Sequence, residues 1–533
     1  MPAERALADP ESDPTATWAL DPALVRDLVR GVCAGVAAER VLTTVPFTGA
    51  PLAELPQSTP DDVRAAVATA RSAQPAWAAR PVRERAQVLL RLHDLLLDRQ
   101  SQALDLVQME SGKARGHAFE ELADVALNAR WYARRGPGML AETRHAGLVP
   151  GLTRVAQVQH PCGVVGIVAP WNYPLTLALS DALPALLAGN AVVLKPDTRT
   201  ALTALWGARL LTDAGLPPGL FSVVVGEGPV VGTALVDAVD HVCFTGSTAT
   251  GREVARRAAG RLVGASLELG GKNAVYVADD ADLDRAAEAA VRDCFSSAGQ
   301  LCVSMERLVL HEAVADAFLE RFLPRVRRLR MGTALDFSTD LGCLVSAEQL
   351  TRTREHVADA IARGARVLAG GHARPDIGPL FHDPTVLDGV PRSARCYAEE
   401  TFGPVVSVYR VAGDAEAVEL ANDTAYGLNA SVWSRDLRRA GAVARAFTTG
   451  TVSVNEGYVA GWGAVAAPMG GRKDSGLGRR HGREGLLRFT RSQSVAVQHG
   501  MGFGPLYALG GERFSHAFTT AFRVARAARL PWP

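Results

Sequence analysis

The sequence predicts an α/β protein of two doubly wound, Rossmann-like domains with a small extra sheet built from distant pieces. Three observations carry this. From Val164 onward, short unalternating apolar runs alternate with helical segments, as in parallel sheets covered on both faces. A second series of the same kind begins near Ala274–Val277 and runs to about Asn455. Arg154–Val158 instead alternates apolar and polar residues, as an exposed strand does, and a fitting partner stands far downstream at Ser494–Val497.

Length and composition fit this architecture. A chain of 533 residues can bury several cores, and 48% apolar with 21% charged residues is globular composition. The net charge of +1 supplies no basic field for nucleic acid. The seven cysteines are scattered with no Cys-x-x-Cys pair, which argues against a disulfide framework and a zinc site and for a reducing cytoplasm. Met1 to Thr17 is acidic and rich in Pro and Ala, with no basic or apolar signal region, and reads as a disordered leader. No stretch is apolar over a length that spans a bilayer.

The elements follow in order. A helix is expected from about Pro22 to Val36, then a hairpin over Val41–Leu55 turning at Phe47-Thr48-Gly49. Thr59-Pro60-Asp61-Asp62 starts a helix, with a Thr cap, Pro at the first position and acid in the first turn. Amphipathic helices follow over Arg83–Gln100 and Ala118–Ala133, separated by a break at Glu110-Ser111-Gly112-Lys113. The first βα series has strands at Val164–Ala169, Ala191–Leu194, Phe221–Val225 and His241–Phe244. Its helices are Leu175–Leu187, Leu202–Ala214 (stopped by Gly215) and Arg252–Ala259. The second series has strands around Val309 and at Val405–Val411, Ala430–Trp433 and Val452–Val454.

Two short stretches carry the chemistry. Cys302 follows Gly299-Gln300-Leu301, where a thiol can be presented as a nucleophile. Glu268 ends an apolar run before Leu269-Gly270-Gly271-Lys272 and is placed as a general base. Alone, each has a plainer reading: a small packing cysteine and a solvated strand end. Gly246–Gly251 lacks the lysine and hydroxyl of a P-loop, and a helix N-terminus offering N–H groups and the Ser247 hydroxyl to a pyrophosphate fits better. Cys243, Cys294 and Cys343 read as packing residues.

Over roughly residues 40 to 500 the chain resembles the aldehyde dehydrogenase superfamily. The resemblance rests on ordered motifs: Pro170-Trp171-Asn172-Tyr173-Pro174, Lys195-Pro196, Phe244-Thr245-Gly246-Ser247-Thr248, the Glu268 and Cys302 stretches, Glu399-Glu400-Thr401-Phe402-Gly403-Pro404, and Gly470-Gly471-Arg472-Lys473-Asp474-Ser475-Gly476. It implies the aldehyde dehydrogenase fold, with 18–140 and 160–268 as dinucleotide-binding domain and 269–465 as catalytic domain. Residues 141–159 and 466–500 would then form the bridging and oligomerisation segment. It implies Cys302 as nucleophile, Glu268 as activator of the hydrolytic water and Asn172 as oxyanion donor. Trp171, Lys195, Thr198, Gly246, Ser247, Leu269, Glu400 and Phe402 would hold the cofactor. No metal is implied, and a homodimer or homotetramer is.

Asn455-Glu456-Gly457-Tyr458 and Pro468 to Gly482 look most like the actinobacterial succinate-semialdehyde dehydrogenases that use NADP. Thr198 stands where many NAD-preferring relatives carry a glutamate, so NADP is expected, with NAD as the second choice. The better-known succinate-semialdehyde enzymes carry arginines where Ser180 and Ser297 stand here, so a less polar aldehyde is a second reading. The presence of both Cys302 and Glu268 argues against two further readings, an acylating relative and a catalytically silent protein of the same fold. In the tail 501–533, Phe514, Phe518 and Phe522 share one helical face followed by Arg523, Arg526 and Arg529. That face either packs on protein, the favoured reading, or lies on a membrane surface.

Overall fold

The apolar runs of the first series assemble into a six-stranded sheet. Its order is Gly476–Leu477, Gly264–Glu268, His241–Thr245, Val164–Val168, Ala191–Lys195, Phe221–Val223. All pairs are parallel except the first, where Gly476 lies opposite Glu268 in antiparallel register. The second series gives a seven-stranded sheet, ordered Arg366–Ala369, Thr385–Asp388, Val405–Val411, Met305–His311, Asn273–Val277, Asn429–Trp433, Thr451–Val454. It too is parallel apart from its first pair. The structure, a computed structural model, describes residues 20–147, 152–499 and 510–529.

Both sheets are apolar because helices cover both faces. Val164, Val165 and Val192 to Leu194 are buried, as are Val275, Val277, Leu308 and Val406 in the second sheet. The two predicted partners of the small sheet do pair. Thr490–Gln498 runs antiparallel to Thr153–Pro161 with Ser494 opposite Gln157 and Val497 opposite Arg154, and Thr143–Ala146 adds a third strand.

Local signals explain most helix boundaries. Thr59 and Asp62 close a reciprocal capping box on Pro60–Ala78. The predicted amphipathic helices occupy Val82–Asp98 and Arg115–Met139, with Gln100–Ser111 between them. Gly112 ends that middle helix at φ +74 and lies so close to Cys343 that a side chain there would meet the sulfur.

Two expectations need correction. The first helix stops at Val29 rather than Val36, because the next residues turn to the sheet edge, where the Cys33 N–H donates to the Val223 carbonyl at 2.8 Å. The single helix expected over Leu175–Leu187 is two, Pro174–Leu179 and Ala182–Leu187. Pro184 has no N–H to offer the Ser180 carbonyl, and its ring crowds that group.

The expected leader 1–17 lies outside the described residues, as do 501–509 and 530–533 of the expected tail. The tail forms a helix over Gly510–Ala527, where Phe514 and Phe518 ring centroids lie 4.8 Å apart. Among the described residues, no helix is long and apolar enough to cross a membrane.

Candidate active site

Cys302 sits at the end of a turn that the backbone reaches only under strain. Ser297 and Ala298 adopt left-handed conformations at φ +51 and +55, and Gly299 follows at φ +70. Left-handed serine and alanine cost about 1 kcal/mol or more each. At Gly299 a Cβ would lie 2.1 Å from the Gly403 carbonyl oxygen, so only glycine fits. Gln300 holds the turn in place. Its amide donates to the Ser297 and Cys343 carbonyls at 3.1 and 3.2 Å, and its Oε1 accepts from the Val345 N–H at 2.9 Å. Asn273 then donates to the carbonyls of Cys302 and Ser304, both at 2.7 Å. These bonds fix Cys302 at the N-terminal end of the parallel strands of the seven-stranded sheet, just before Met305–His311.

Asn172 approaches the same turn from the other sheet. Its side-chain amide donates to the Gln300 carbonyl at 3.1 Å, which leaves its second N–H for a further acceptor. Lys113 donates to the Asn172 carbonyl at 2.6 Å while paired with buried Glu121, so the motif is anchored from beneath. The Cys302 N–H bonds no carbonyl among the described residues. Two donors near the thiol are therefore free to face a developing oxyanion.

Glu268 ends its strand buried, and no donor among the described residues bonds its carboxylate. Burial pushes it up to about 7, against the pull of the Arg480 guanidinium. Cys302 is pushed up to about 12 by burial, then by the carboxylates of Glu400 and Glu268. A thiol held that high attacks only as a base removes its proton.

Beside this lies a cleft of about 710 Å³ lined by Trp171, Lys195, Thr198, Phe244, Thr245, Glu227 and others. Lys195 is mostly buried, and its ammonium makes no hydrogen bond or close ion pair among the described residues, though Asp197 and Glu227 lie near. Thr198 is half-buried and its hydroxyl is uncommitted, because Asp197 caps the turn Thr198–Thr200 instead. The helix Ala201–Asp213 has another cap altogether. Buried Glu110 accepts from the N–H groups of Leu202 and Thr203, both at 2.7 Å. Sequence reading missed this group because its partners stand some 90 residues away.

The other expected cofactor residues have the following contacts. Gly246 donates its N–H to the Glu268 carbonyl at 3.1 Å. Ser247 caps the helix Thr248–Gly260 through the Thr250 N–H at 3.3 Å, so its hydroxyl is already engaged. Leu269 packs its side chain over Gly251 of that helix. Glu400 accepts from the Gly271 N–H at 2.8 Å and is pushed up to about 8 by burial and the Glu306 carboxylate. Phe402, at φ +57, stacks edge-on against Trp171 at 5.5 Å. An unpaired cation, a free hydroxyl and close-approach glycines fit a phosphorylated dinucleotide in this cleft.

Ser180 and Ser297 have different partners. Ser180 donates to buried Asp124 at 2.6 Å, whereas Ser297 meets the Tyr173 hydroxyl at 3.3 Å.

Residues 35–495 match the model of the aldehyde dehydrogenase family. The chain belongs to this family. The aldehyde dehydrogenase is 50% identical over 485 residues, 91% of its length and 93% of the relative's, to a Mycolicibacterium smegmatis protein named "Putative succinate-semialdehyde dehydrogenase", NADP(+)-type. It is 37% identical to the Escherichia coli succinate-semialdehyde dehydrogenase GabD, also NADP(+)-type, covering 86% of this chain and 94% of that one. Among solved structures, an NAD-dependent aldehyde dehydrogenase from Sinorhizobium meliloti superposes with a TM-score of 0.85 at 34% identity, covering 90% of this chain and 94% of that one.

Proposed function

We propose that this aldehyde dehydrogenase oxidises succinate semialdehyde to succinate with NADP, through a thioester on Cys302. The observation that carries the catalytic reading is the convergence of the pinned Cys302 turn, the Asn172 amide and buried Glu268 between the two sheets. The substrate and cofactor rest on the similarity to the mycolicibacterial and Escherichia coli relatives, with Thr198 and Lys195 as local support.

The Cys302 sulfur bonds the aldehyde carbon as its proton passes to solvent water, and the oxyanion meets the Asn172 amide and the Cys302 N–H. Oxidised nicotinamide, when bound, supplies the hydride acceptor that turns the resulting thiohemiacetal into a thioester. Lys195 and Thr198 would hold its 2′-phosphorylated ribose, Gly246, Ser247, Trp171 and Leu269 its middle, and Glu400 and Phe402 its reactive end. Glu268 then takes a proton from water, the hydroxide bonds the thioester carbon, and the C–S bond breaks to release acid and regenerate Cys302.

A second reading, oxidation of a less polar aldehyde, is favoured by one observation. Ser180 and Ser297 bring no cation, and Ser180 leads to the Asp124 carboxylate. Initial rates of NADPH formation without coenzyme A, on succinate semialdehyde, butanal and benzaldehyde, decide between the two. Higher kcat/KM on succinate semialdehyde supports the first reading, and the reverse order supports the second. In either case, Cys302→Ser lowers the rate by about three orders of magnitude or more. Full turnover by that variant would remove the cysteine from the mechanism. We also propose a homo-oligomer, a dimer or tetramer, joined through the small sheet, and a cytoplasmic location.

A further inference from the structure

The mechanism leaves one buried charge system unused. Asp181, in the break between the helices Pro174–Leu179 and Ala182–Leu187, accepts from buried Arg480 at 2.5 Å and from half-buried Arg488. Arg480 also donates to the Thr245 hydroxyl at 3.2 Å, and its Nε has no partner among the described residues. Thr245 is the register partner of Glu268 on the adjacent parallel strand, so this bond brings the guanidinium to the end of the strand that carries the base. The surrounding backbone adds to the placement. Arg480 and Met469 exchange backbone hydrogen bonds at 2.6 and 2.9 Å, and a Cβ on the next residue, Gly470, would lie 3.0 Å from Glu268 Oε1. Gly476 pairs with Glu268 itself. The segment 469–480 thus wraps the base and brings the Arg480 guanidinium toward it.

We propose that Arg480 is a positioning residue for the base: anchored on Asp181 and Thr245, it keeps the Glu268 carboxylate ionised and so sets the pH range in which the thioester is hydrolysed. A buried carboxylate with no hydrogen-bond donor depends for its charge on nearby cations. The charged groups that face Glu268 are Arg480, Asp181, Arg488 and Arg479, with the Cys302 thiol beyond. Arg480 is first among those that favour the ionised form, and Asp181 opposes it. Asp124, bonded to Ser180 and held at about 6, also faces Arg480. Burial keeps the remaining neighbours uncharged near neutrality: His481 is held at about 4, His241 at about 3, Cys243 at about 12 and Tyr132 well above its usual range.

The two members of the Asp181–Arg480 pair therefore act on the base with opposite sign, and this gives the test. The inference rests on the dehydrogenase reading, so the measurement separates the two chemical phases: rapid-mixing of enzyme, NADP and aldehyde, recording the NADPH burst and the slower hydrolytic phase from pH 5.5 to 9. In Arg480→Gln the acid limb of the slow phase moves up by about one pH unit, with the burst amplitude kept. In Arg480→Lys, which restores the charge, it returns toward the wild-type position. In Asp181→Asn it moves down. Where one variant fails to melt cooperatively, the others decide by the same signs. A limb left in place in Arg480→Gln, or moved upward in Asp181→Asn, overturns the proposal. Absence of any burst in the unmodified enzyme would instead overturn the dehydrogenase reading.

Discussion

A carboxylate that must take a proton from water near neutrality, yet release it again each turnover, cannot have the affinity of an ordinary surface acid. Glu268, buried without a hydrogen-bond donor among the described residues, is pushed up to about 7. Below that value it is protonated and cannot act as base, so hydrolysis falls about tenfold per pH unit, while above it the rate is level. Glu268→Gln removes the acid limb, keeps the burst of NADPH and lowers the steady rate by about 10² to 10⁴. A burst that falls in step with the steady rate would place Glu268 earlier, at the thiol. Cofactor choice by Thr198, as proposed above, belongs to the same scale. Its free hydroxyl beside Lys195 can donate to a 2′-phosphate, and a tenfold preference for NADP needs only about 1.4 kcal/mol. Thr198→Glu, which sets a negative charge against that phosphate, should reverse the preference, and kcat/KM for the two cofactors reads it directly. The sequence made these residues legible because each stands inside a local motif. Glu110, Asp181 and Arg480 were not legible, because their meaning comes from partners some 90 to 300 positions away.

At the scale of elements, the turn Ser296–Gly299 shows why a motif looks the way it does. Gly-Gln before the cysteine reads from sequence as a place where a thiol can be presented. The structure adds the reason: Gly299 touches Gly403, and Gln300 reaches Ser297, Cys343 and Val345. Gly299→Ala should therefore displace Cys302 before it harms the fold. The expected result is loss of most turnover with Tm lowered by a few degrees, read by activity and thermal melting side by side. Strands with short, bounded apolar runs were legible, whereas Thr143–Ala146, Arg366–Ala369, Thr385–Asp388 and Gly476–Leu477 were not. The helix over Leu175–Leu187 was not, because its apolar periodicity hides Pro184, whose effect falls on the carbonyl four residues earlier.

For the molecule as a whole, the fold was legible from the alternation of runs, and even the pairing of Ser494–Val497 with Arg154–Val158 followed from their matching patterns. The strand Thr490–Gln498 is the outer one of the small sheet, pairing with Thr153–Pro161 on one side, and Val495 and Val497 remain 42% and 46% exposed. Such an edge invites a second copy of the chain. Placing lysine at both valines should shift the protein toward the mass of its 56.3 kDa chain in size-exclusion chromatography with light scattering. An unchanged mass would assign assembly to another surface.

The antiparallel strand Gly476–Leu477, which closes the six-stranded sheet against Glu268, has a consequence for synthesis. The five parallel strands of that sheet leave the ribosome by residue 268, some 200 residues before the piece that covers their edge. Until then the nascent chain carries an open edge and a base with no lid, and the edge of Thr153–Pro161 that Thr490–Gln498 later occupies is open too. The chain thus holds its catalytic centre incomplete until Gly476–Leu477 is made, and termination before that point is expected to yield protein that is both inactive and prone to join edge to edge.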